Sequence, residues 1–269
     1  MFMLYCQDMK TSLDFTSHLA QEAGKLLLDY YQPSGIQAKF KSDRTVVTEA
    51  DLAADRLISA ALQGKFPNDG ILSEEKNTTF PQDKTFVWII DPLDGTTNFS
   101  LGLHYWGVSI ARLRNGNPDL AVLYFPLLDE LYTASQGGGA FLNGNRLQVK
   151  TPSPSQPTTF FSCCSRAHKH YQIDLRYKTR ILGSAAYSLC TVARGSSRLA
   201  FEVTPKVWDF SGSWLITREA GGVIAPLEGS TPYPLVPSVD YSSKSFPLLV
   251  ATTLQEWAKG KEKIKKRTP

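Results

Sequence analysis

An uninterrupted apolar run, Phe86-Val87-Trp88-Ile89-Ile90, ends directly in Asp91-Pro92-Leu93-Asp94-Gly95-Thr96. The run is rich in β-branched and aromatic side chains, which predicts a strand buried on both faces. Such a strand needs a covering layer on each side, so the chain is restricted to layered α/β architectures. Pro92 has no N–H for a ladder, which puts Asp91 where the strand runs out. Asp94 then stands at the N-cap of a helical turn opening at Gly95-Thr96. Carboxylates at the carboxyl end of a buried strand point into the crevice where open α/β sheets bind ligands. Gly95 admits a ligand close to the backbone, and the N–H groups of the turn suit a phosphate. One short segment thus offers hard oxygen ligands for Mg²⁺ and donors for a phosphoryl group. Asp-Pro and Asp-Gly are also ordinary turn dipeptides, so an architectural reading stays open.

The rest of the chain alternates helical and strand periodicities. Leu13, Leu19, Ala20, Ala23, Leu26, Leu27 and Tyr30 form one helical stripe closed by Pro33 and Gly35. A second helix follows Thr48, with Ala54, Leu57, Ile58, Ala61 and Leu62 as its buried face. Strands are predicted at 106–113, 120–124, 140–142, 160–163, 199–202 and 223–225, and helices at 185–193 and 210–220. The segment Thr151 to Pro157 is rich in Pro and Ser, which divides the chain into halves at 1–151 and 152–269. The expected fold is mixed α/β in layers.

Further acidic residues fall in matching contexts: Asp51 at the start of the second helix, Glu74-Glu75 after Ile71-Leu72, and Asp209 after Val207-Trp208. Each also has an architectural explanation. Thr48 to Asp51 is a capping box, Glu74-Glu75 suits a solvated loop, and Asp209 suits the first turn of a helix. Were they to converge, two carboxylates ~4 Å apart would repel by ~4 kcal/mol at an effective dielectric near 20, so a shared crevice would need cations. The sequence has no HExxH and no Cys/His cluster, which favours oxygen-loving Mg²⁺ over zinc.

Bulk properties exclude several classes. The 269 residues carry a net charge of +4, which gives no reason to expect nucleic-acid binding. Lys259 to Arg267 is basic and reads as a solvated helix end or frayed tail. No apolar run approaches the ~20 residues that span a bilayer, and Met1 to Lys10 lacks the features of a leader. Cys6, Cys163, Cys164 and Cys190 have no zinc spacing, and a reducing, cytoplasmic setting fits them.

Taken together, these residues resemble the inositol monophosphatase family. Asp91 to Phe99 matches its first signature; Trp208-Asp209-Phe210-Ser211-Gly212, followed by Glu219-Ala220-Gly221-Gly222-Val223, matches its second. Val47 to Asp51, Ser73-Glu74-Glu75 and Gly138 to Gly144 fall in order at similar spacings. The resemblance implies an alternating αβαβα layered sandwich, usually dimeric, with two to three Mg²⁺ ions per site and Li⁺ as inhibitor. It implies that Glu74, Asp91 and the Leu93 carbonyl hold one ion, and that Asp91, Asp94 and Asp209 hold a second. A third would sit near Glu74 through waters, with Asp51 beyond them. Thr96 with Glu74 would orient the attacking water, and the N–H groups of Gly95 and Thr96 would grip phosphate. The implied reaction is direct in-line hydrolysis of a phosphate monoester, with no covalent intermediate.

For the organic part of the substrate, the resemblance points to a small phosphorylated polyol. Glu202 stands where the family glutamate accepts hydrogen bonds from ring hydroxyls, and Gly183-Ser184-Ala185 matches a segment of the same pocket, which Asp94 and Asp209 border. Thr97-Asn98 favours the inositol-phosphate branch over relatives acting on nucleotide or histidinol phosphates. Relatives that cleave fructose 1,6-bisphosphate share this pattern and remain the alternative. Two features depart from the family. Ser73 replaces the usual glycine before the Glu-Glu pair, and the segment from Arg166 to Arg180, with surface residues expected at His168 and His170, is shorter than in animal relatives.

Overall fold

The computed structural model describes residues 2–40, 46–149 and 159–267. In chain order, α1 (Phe2–Tyr30) is followed by β1 (Lys39–Phe40), β2 (Val46–Val47), α2 (Glu49–Lys65), β3 (Gly70–Ser73), β4 (Phe86–Asp94) and α3 (Thr96–Ser100). Next come β5 (Gly107–Arg114), β6 (Asn117–Phe125), β7 (Glu130–Ser135), β8 (Gly139–Leu142) and β9 (Asn145–Leu147). From residue 159 onward lie β10 (Phe160–Cys163), α4 (Ala167–His170), β11 (Tyr171–Ile173), β12 (Lys178–Arg180), α5 (Ala185–Ala193) and β13 (Ser197–Glu202). The chain closes with α6 (Val207–Glu219), β14 (Val223–Pro226), β15 (Leu248–Ala251), α7 (Leu254–Lys263) and β16 (Ile264–Lys266).

Strands β3 to β9 form a seven-stranded sheet in sequence order, and a five-stranded sheet has the order β12-β10-β13-β15-β14. Helices α1 and α2 cover the outer face of the first sheet, α5 and α6 fill the space between the sheets, and α7 covers the second. These are the αβαβα layers that the resemblance implied. The expected boundary at Thr151 to Pro157 lies outside the described residues.

The apolar run in β4 explains itself once the layers are in place. Trp88 and Ile90 pack with Leu19, Ala23, Ala54 and Ile58 of α1 and α2. Val87 and Ile89 face the other way, into a cluster with Trp208, Phe210 and Val250. Each fully buried side chain of this size contributes about 1.5–3 kcal/mol, so the strand is fixed from both sides. Helix α6 is buried on nearly every side because it lies between two sheets, which is why it shows no polar stripe. Thr48 caps α2 as the capping box predicts.

Three expectations need correction. Strand β4 does not stop at Asp91: pairing with β5 lapses after Asp91↔Ser109 and resumes at Asp94↔Gly107. Pro92 is accommodated because three steps on β4 oppose two on β5, a bulge that needs no N–H from it. The basic C-terminal stretch is not frayed. Its first part ends α7, and its second part is β16, paired antiparallel with β11 and held by buried Ile264. Tyr30, read as part of the α1 stripe, is 39% exposed, because the helix leaves the sheet before it ends. Strands β1, β2, β3, β7, β9, β11, β12, β15 and β16 are additional to the predicted ones; most are pieces of two to four residues, too short to leave a periodicity.

Candidate active site

The bulge in β4 builds the centre of the site. In a regular strand, residues three apart project from opposite faces. The extra residue between Asp91 and Asp94 cancels that offset, so both carboxylates line one crevice of about 380 Å³. The Leu93 N–H donates to Asp91 Oδ1 at 3.1 Å and holds that carboxylate against its own turn. Asp94 is not the N-cap of α3. Gly95 takes that position at φ 89°, and a Cβ there would lie 2.7 Å from the Tyr105 carbonyl oxygen. Asp94 instead reaches the start of α5, accepting from the Ser184 hydroxyl and, at 3.0 Å, from the Ala185 N–H. It caps a helix 91 residues away in sequence, which local spacing could not reveal.

Two other elements deliver carboxylates to the same place. Strand β3 runs parallel to β4 with Ser73 opposite Ile90, and the Glu74 N–H donates to the Ile90 carbonyl at 3.2 Å. Glu74 therefore arrives beside Asp91. Asp209 comes from the first turn of α6, where its Oδ2 accepts from the Lys206 N–H at 2.7 Å. Both readings of Asp209 hold together: it caps its helix and faces the crevice. One oxygen each from Glu74, Asp91 and Asp209 lie within 4.8 Å of one another.

Electrostatics follow from this packing. Burial pushes the Asp91 carboxyl well above the usual carboxylate range, and the charges of Glu74, Asp94 and Asp209 push it further. Asp209 is raised well above its ordinary value by burial and then by Glu74 and Asp94. Asp94 is pushed up to about 6 by burial, against the pull of the Ser184 hydroxyl and the amides opening α5. At ~5 Å and an effective dielectric near 20, each ionised pair costs ~3 kcal/mol. Protons or a cation must offset that cost. An all-oxygen donor set of this kind fits a hard divalent cation.

Asp51 lies behind this cluster. Its Oδ2 accepts from the Thr48 N–H and hydroxyl at 2.7 and 2.6 Å, while its Oδ1 accepts from the Thr96 hydroxyl at 3.0 Å. Capping and site roles coexist here too, and burial pushes this carboxyl up to about 6. The Thr96 oxygen also lies 3.0 Å from the Leu93 carbonyl. Glu202 ends β13 on the opposite side of the crevice. Burial, then the Asp94 charge, pushes its carboxyl up to about 8. Gly183, Ser184 and Ala185 line the crevice with it.

Several lining or framing residues carried no signal in the sequence reading. Cys164, Ser165, Thr204 and Lys206 complete the crevice wall with Arg166, the first residue of the shortened segment noted in the sequence. Asn98, read with Thr97 as a substrate marker, is buried, and its amide donates to the carbonyls of Tyr105 and Leu182 at 2.7 Å each. Only Thr97 of that pair lines the crevice. His168 and His170 are exposed, as expected of surface residues. Among the described residues, no helix is long and apolar enough to cross a membrane.

The sequence model described as the inositol monophosphatase family matches residues 8–258. The chain belongs to the inositol monophosphatase family. Inositol-1-monophosphatase of Mesorhizobium japonicum is 36% identical over 222 residues, covering 78% of this chain and 83% of that one. Histidinol-phosphatase of Chlorobaculum parvum is 36% identical over 225 residues, covering 80% and 85%. Nus factor SuhB of Escherichia coli is 34% identical over 242 residues, covering 86% and 91%. Among solved structures, the Thermotoga maritima IMPase aligns with a TM-score of 0.77 at 29% identity, covering 94% of this chain and 97% of that one. Family membership makes the chain a metal-dependent phosphatase with a phosphorylated small molecule as substrate, and the acidic cluster supplies the matching site.

Proposed function

We propose that this inositol monophosphatase family member hydrolyses inositol monophosphate to inositol and phosphate, with Mg²⁺ as cofactor. The observation that carries the reading is the convergence of Glu74, Asp91 and Asp209, from three separate elements, beside Asp94 and the Gly95-Thr96 turn. Glu74, Asp91 and the Leu93 carbonyl would hold one ion, and Asp91, Asp94 and Asp209 a second. When bound, Mg²⁺ supplies the positive charge that keeps these carboxylates ionised and eases ionisation of a nearby water.

The residues of the chain do the remaining work. The Thr96 hydroxyl donates to Asp51, which leaves its oxygen lone pairs to accept a hydrogen bond from water on the Glu74 side. The amides of Gly95 and Thr96 open α3, where they have no partner within the helix and suit phosphate oxygens. Water oxygen forms the new bond to phosphorus as the ester bond opposite breaks; the attacking water gives up one proton, and the leaving alkoxide takes one up from solvent, so the products are the free alcohol and hydrogen phosphate. Glu202 accepts from ring hydroxyls at the far side of the crevice. The thiol in the wall, Cys164, is pushed up to about 11 by burial and then by the Glu202 charge, so it stays protonated and supplies no nucleophile at neutral pH.

A second reading has its own support. Arg166 donates to the Thr204 hydroxyl at 2.9 Å, and both line the crevice with Lys206. The Arg166 guanidinium on this wall suits a substrate with a second anionic group, such as fructose 1,6-bisphosphate. A homodimer inhibited by Li⁺, in the cytoplasm, belongs to the primary reading, and light scattering checks the dimer. Phosphate release from inositol 1-phosphate, fructose 1,6-bisphosphate, histidinol phosphate and 3′-phosphoadenosine 5′-phosphate, each with and without Mg²⁺, tests both readings. Inositol 1-phosphate is expected to give the highest kcat/KM, and failure to cleave any of the four would sink the proposal.

A further inference from the structure

Ser73 is fully buried at the last position of β3, directly before Glu74. Its hydroxyl is used in both directions: it donates to Asp55 Oδ1 on α2 and accepts from the Glu75 N–H at 3.3 Å. Asp55 is only 3% exposed and lies one helical turn beyond Asp51, on the same face of α2. Helix α2 therefore reaches the site through two carboxylates a turn apart. Asp51 holds Thr96 in the turn after β4, and Asp55 holds Ser73 at the end of β3.

Two backbone hydrogen bonds also hold the Glu74 turn, one to the neighbouring strand and one within the turn itself. The Glu74 N–H meets the Ile90 carbonyl at 3.2 Å, and the Ser73 N–H meets the Asn77 carbonyl at 2.8 Å. Neither ties the turn to the helix layer above it. Leu72 projects from the opposite face, into the cluster around Trp208, so Ser73 is the residue of β3 placed to bridge that gap. A glycine at 73 would make neither side-chain contact. Burying a carboxylate is costly, and a hydroxyl partner offsets only part of the cost, so a purely structural joint would be served as well by an apolar pair.

We infer that Ser73 and Asp55 are positioning residues that fix the height of Glu74 relative to Asp91 and Asp209, an inference that rests on the metal-dependent reading above. The joint sets the spacing of the carboxylates before any cation arrives, as groups supporting metal ligands do.

The test is Mg²⁺ binding by calorimetry, alongside Mg²⁺ titration of phosphate release, on wild type, Ser73→Ala, Asp55→Asn, Asp55→Ala and the Ser73→Ala/Asp55→Ala double variant. Ser73→Ala is expected to weaken Mg²⁺ binding about tenfold, the lower end of the range for groups that support metal ligands. The Mg²⁺ concentration for half-maximal rate should rise by the same factor, with kcat at saturating Mg²⁺ close to wild type, whereas the Tm should fall because Asp55 stays buried without its hydroxyl partner. Asp55→Asn keeps an oxygen acceptor and should bind as wild type does, whereas Asp55→Ala should match Ser73→Ala. The double variant should bind no more weakly than either alanine variant. Should Asp55→Ala fail to fold, the contrast between Ser73→Ala and Asp55→Asn still decides. Unchanged Mg²⁺ binding in Ser73→Ala, or additive losses in the double variant, overturns the inference alone. A wild-type protein that takes up no Mg²⁺ overturns the functional reading and the inference with it.

Discussion

The crevice has two walls built in opposite ways. The inner wall is made by β3, β4 and the start of α6, where Asp91 and Asp94 are 2% and 5% exposed and each accepts hydrogen bonds from named donors. The outer wall is made by the stretch after β10 and the approach to α5, where Ser165 and Arg166 are exposed and Ile181 is 53% exposed. The elements of that stretch are three or four residues long. Groups that must hold a fixed geometry sit on the elements with the most burial, and groups that meet the variable part of a substrate sit on those with the least. Substitutions on the two walls should therefore fail in different ways.

The largest expected effect is on the inner wall. Asp91→Asn removes the carboxylate that feels the charges of Glu74, Asp94 and Asp209 together, and turnover should fall ~10²–10³-fold, the scale of losing one preorganised group from a catalytic site. Its fold should survive, because the amide keeps an oxygen to accept from the Leu93 N–H. Relief of repulsion should even raise the Tm of the metal-free protein. Near-normal turnover would break the division between the walls. Next in size is Gly95→Ala, which places a Cβ 2.7 Å from the Tyr105 carbonyl oxygen at a φ that L residues avoid. A loss of about 1–3 kcal/mol of stability is expected, read as a lower urea midpoint.

How much of each wall was legible in the sequence follows from the same contrast. The inner wall announced itself because a strand buried on both faces leaves an apolar run, and the run points at the acids behind it. Asp51 and Asp209 were legible as caps, since capping is local. That Asp209 also faces the crevice, and that Asp51 stands behind it holding Thr96, follows from tertiary packing, which local spacing does not encode. The bulge at Pro92 looks like a strand end in the sequence, because a proline removes a donor whether the ladder stops or skips a residue. Asp94 was misassigned for a related reason: its partner, the N-terminus of α5, is a long-range neighbour. The outer wall left almost no trace. Cys164 and Arg166 lack a periodicity of their own, and β16 lies hidden inside a run of lysines whose buried side chain is Ile264.

On the outer wall, Arg166→Ala tests whether that side selects substrate without touching the chemistry. For inositol 1-phosphate, a change in KM of about twofold or less is expected, with kcat unaltered, as for an exposed polar contact. For fructose 1,6-bisphosphate, KM should rise about tenfold, the scale of a charge-assisted hydrogen bond worth roughly 1.4 kcal/mol. Equal effects on both substrates would show that Arg166 shapes the wall without reading a second anionic group.

The smallest effect is on stability, and it belongs to the buried carboxylates in and behind the crevice in the absence of metal. Asp51 and Asp94 are pushed up to about 6, and Glu202 to about 8, chiefly by burial. Unfolded, these carboxyls titrate near 4. Between pH 4 and 8 the folded chain therefore holds more protons than the unfolded one, and stability falls as pH rises. The loss begins above the unfolded values and is complete once pH passes the folded value of each group. In chelator, the Tm should drop on going from pH 5 to pH 8.5, with each kcal/mol lost appearing as about 2–4 °C for a chain of this size. Mg²⁺ opposes the loss by pairing with ionised carboxylates, so its stabilising effect should be larger at pH 8.5 than at pH 5. Glu202→Gln cannot ionise and should flatten the part of the profile between pH 7 and 8.5 while leaving the lower part intact. A Tm in chelator that is flat or rises with pH would mean that the carboxylates of the crevice are better solvated than their burial implies, and the contrast between the walls would lose its electrostatic half.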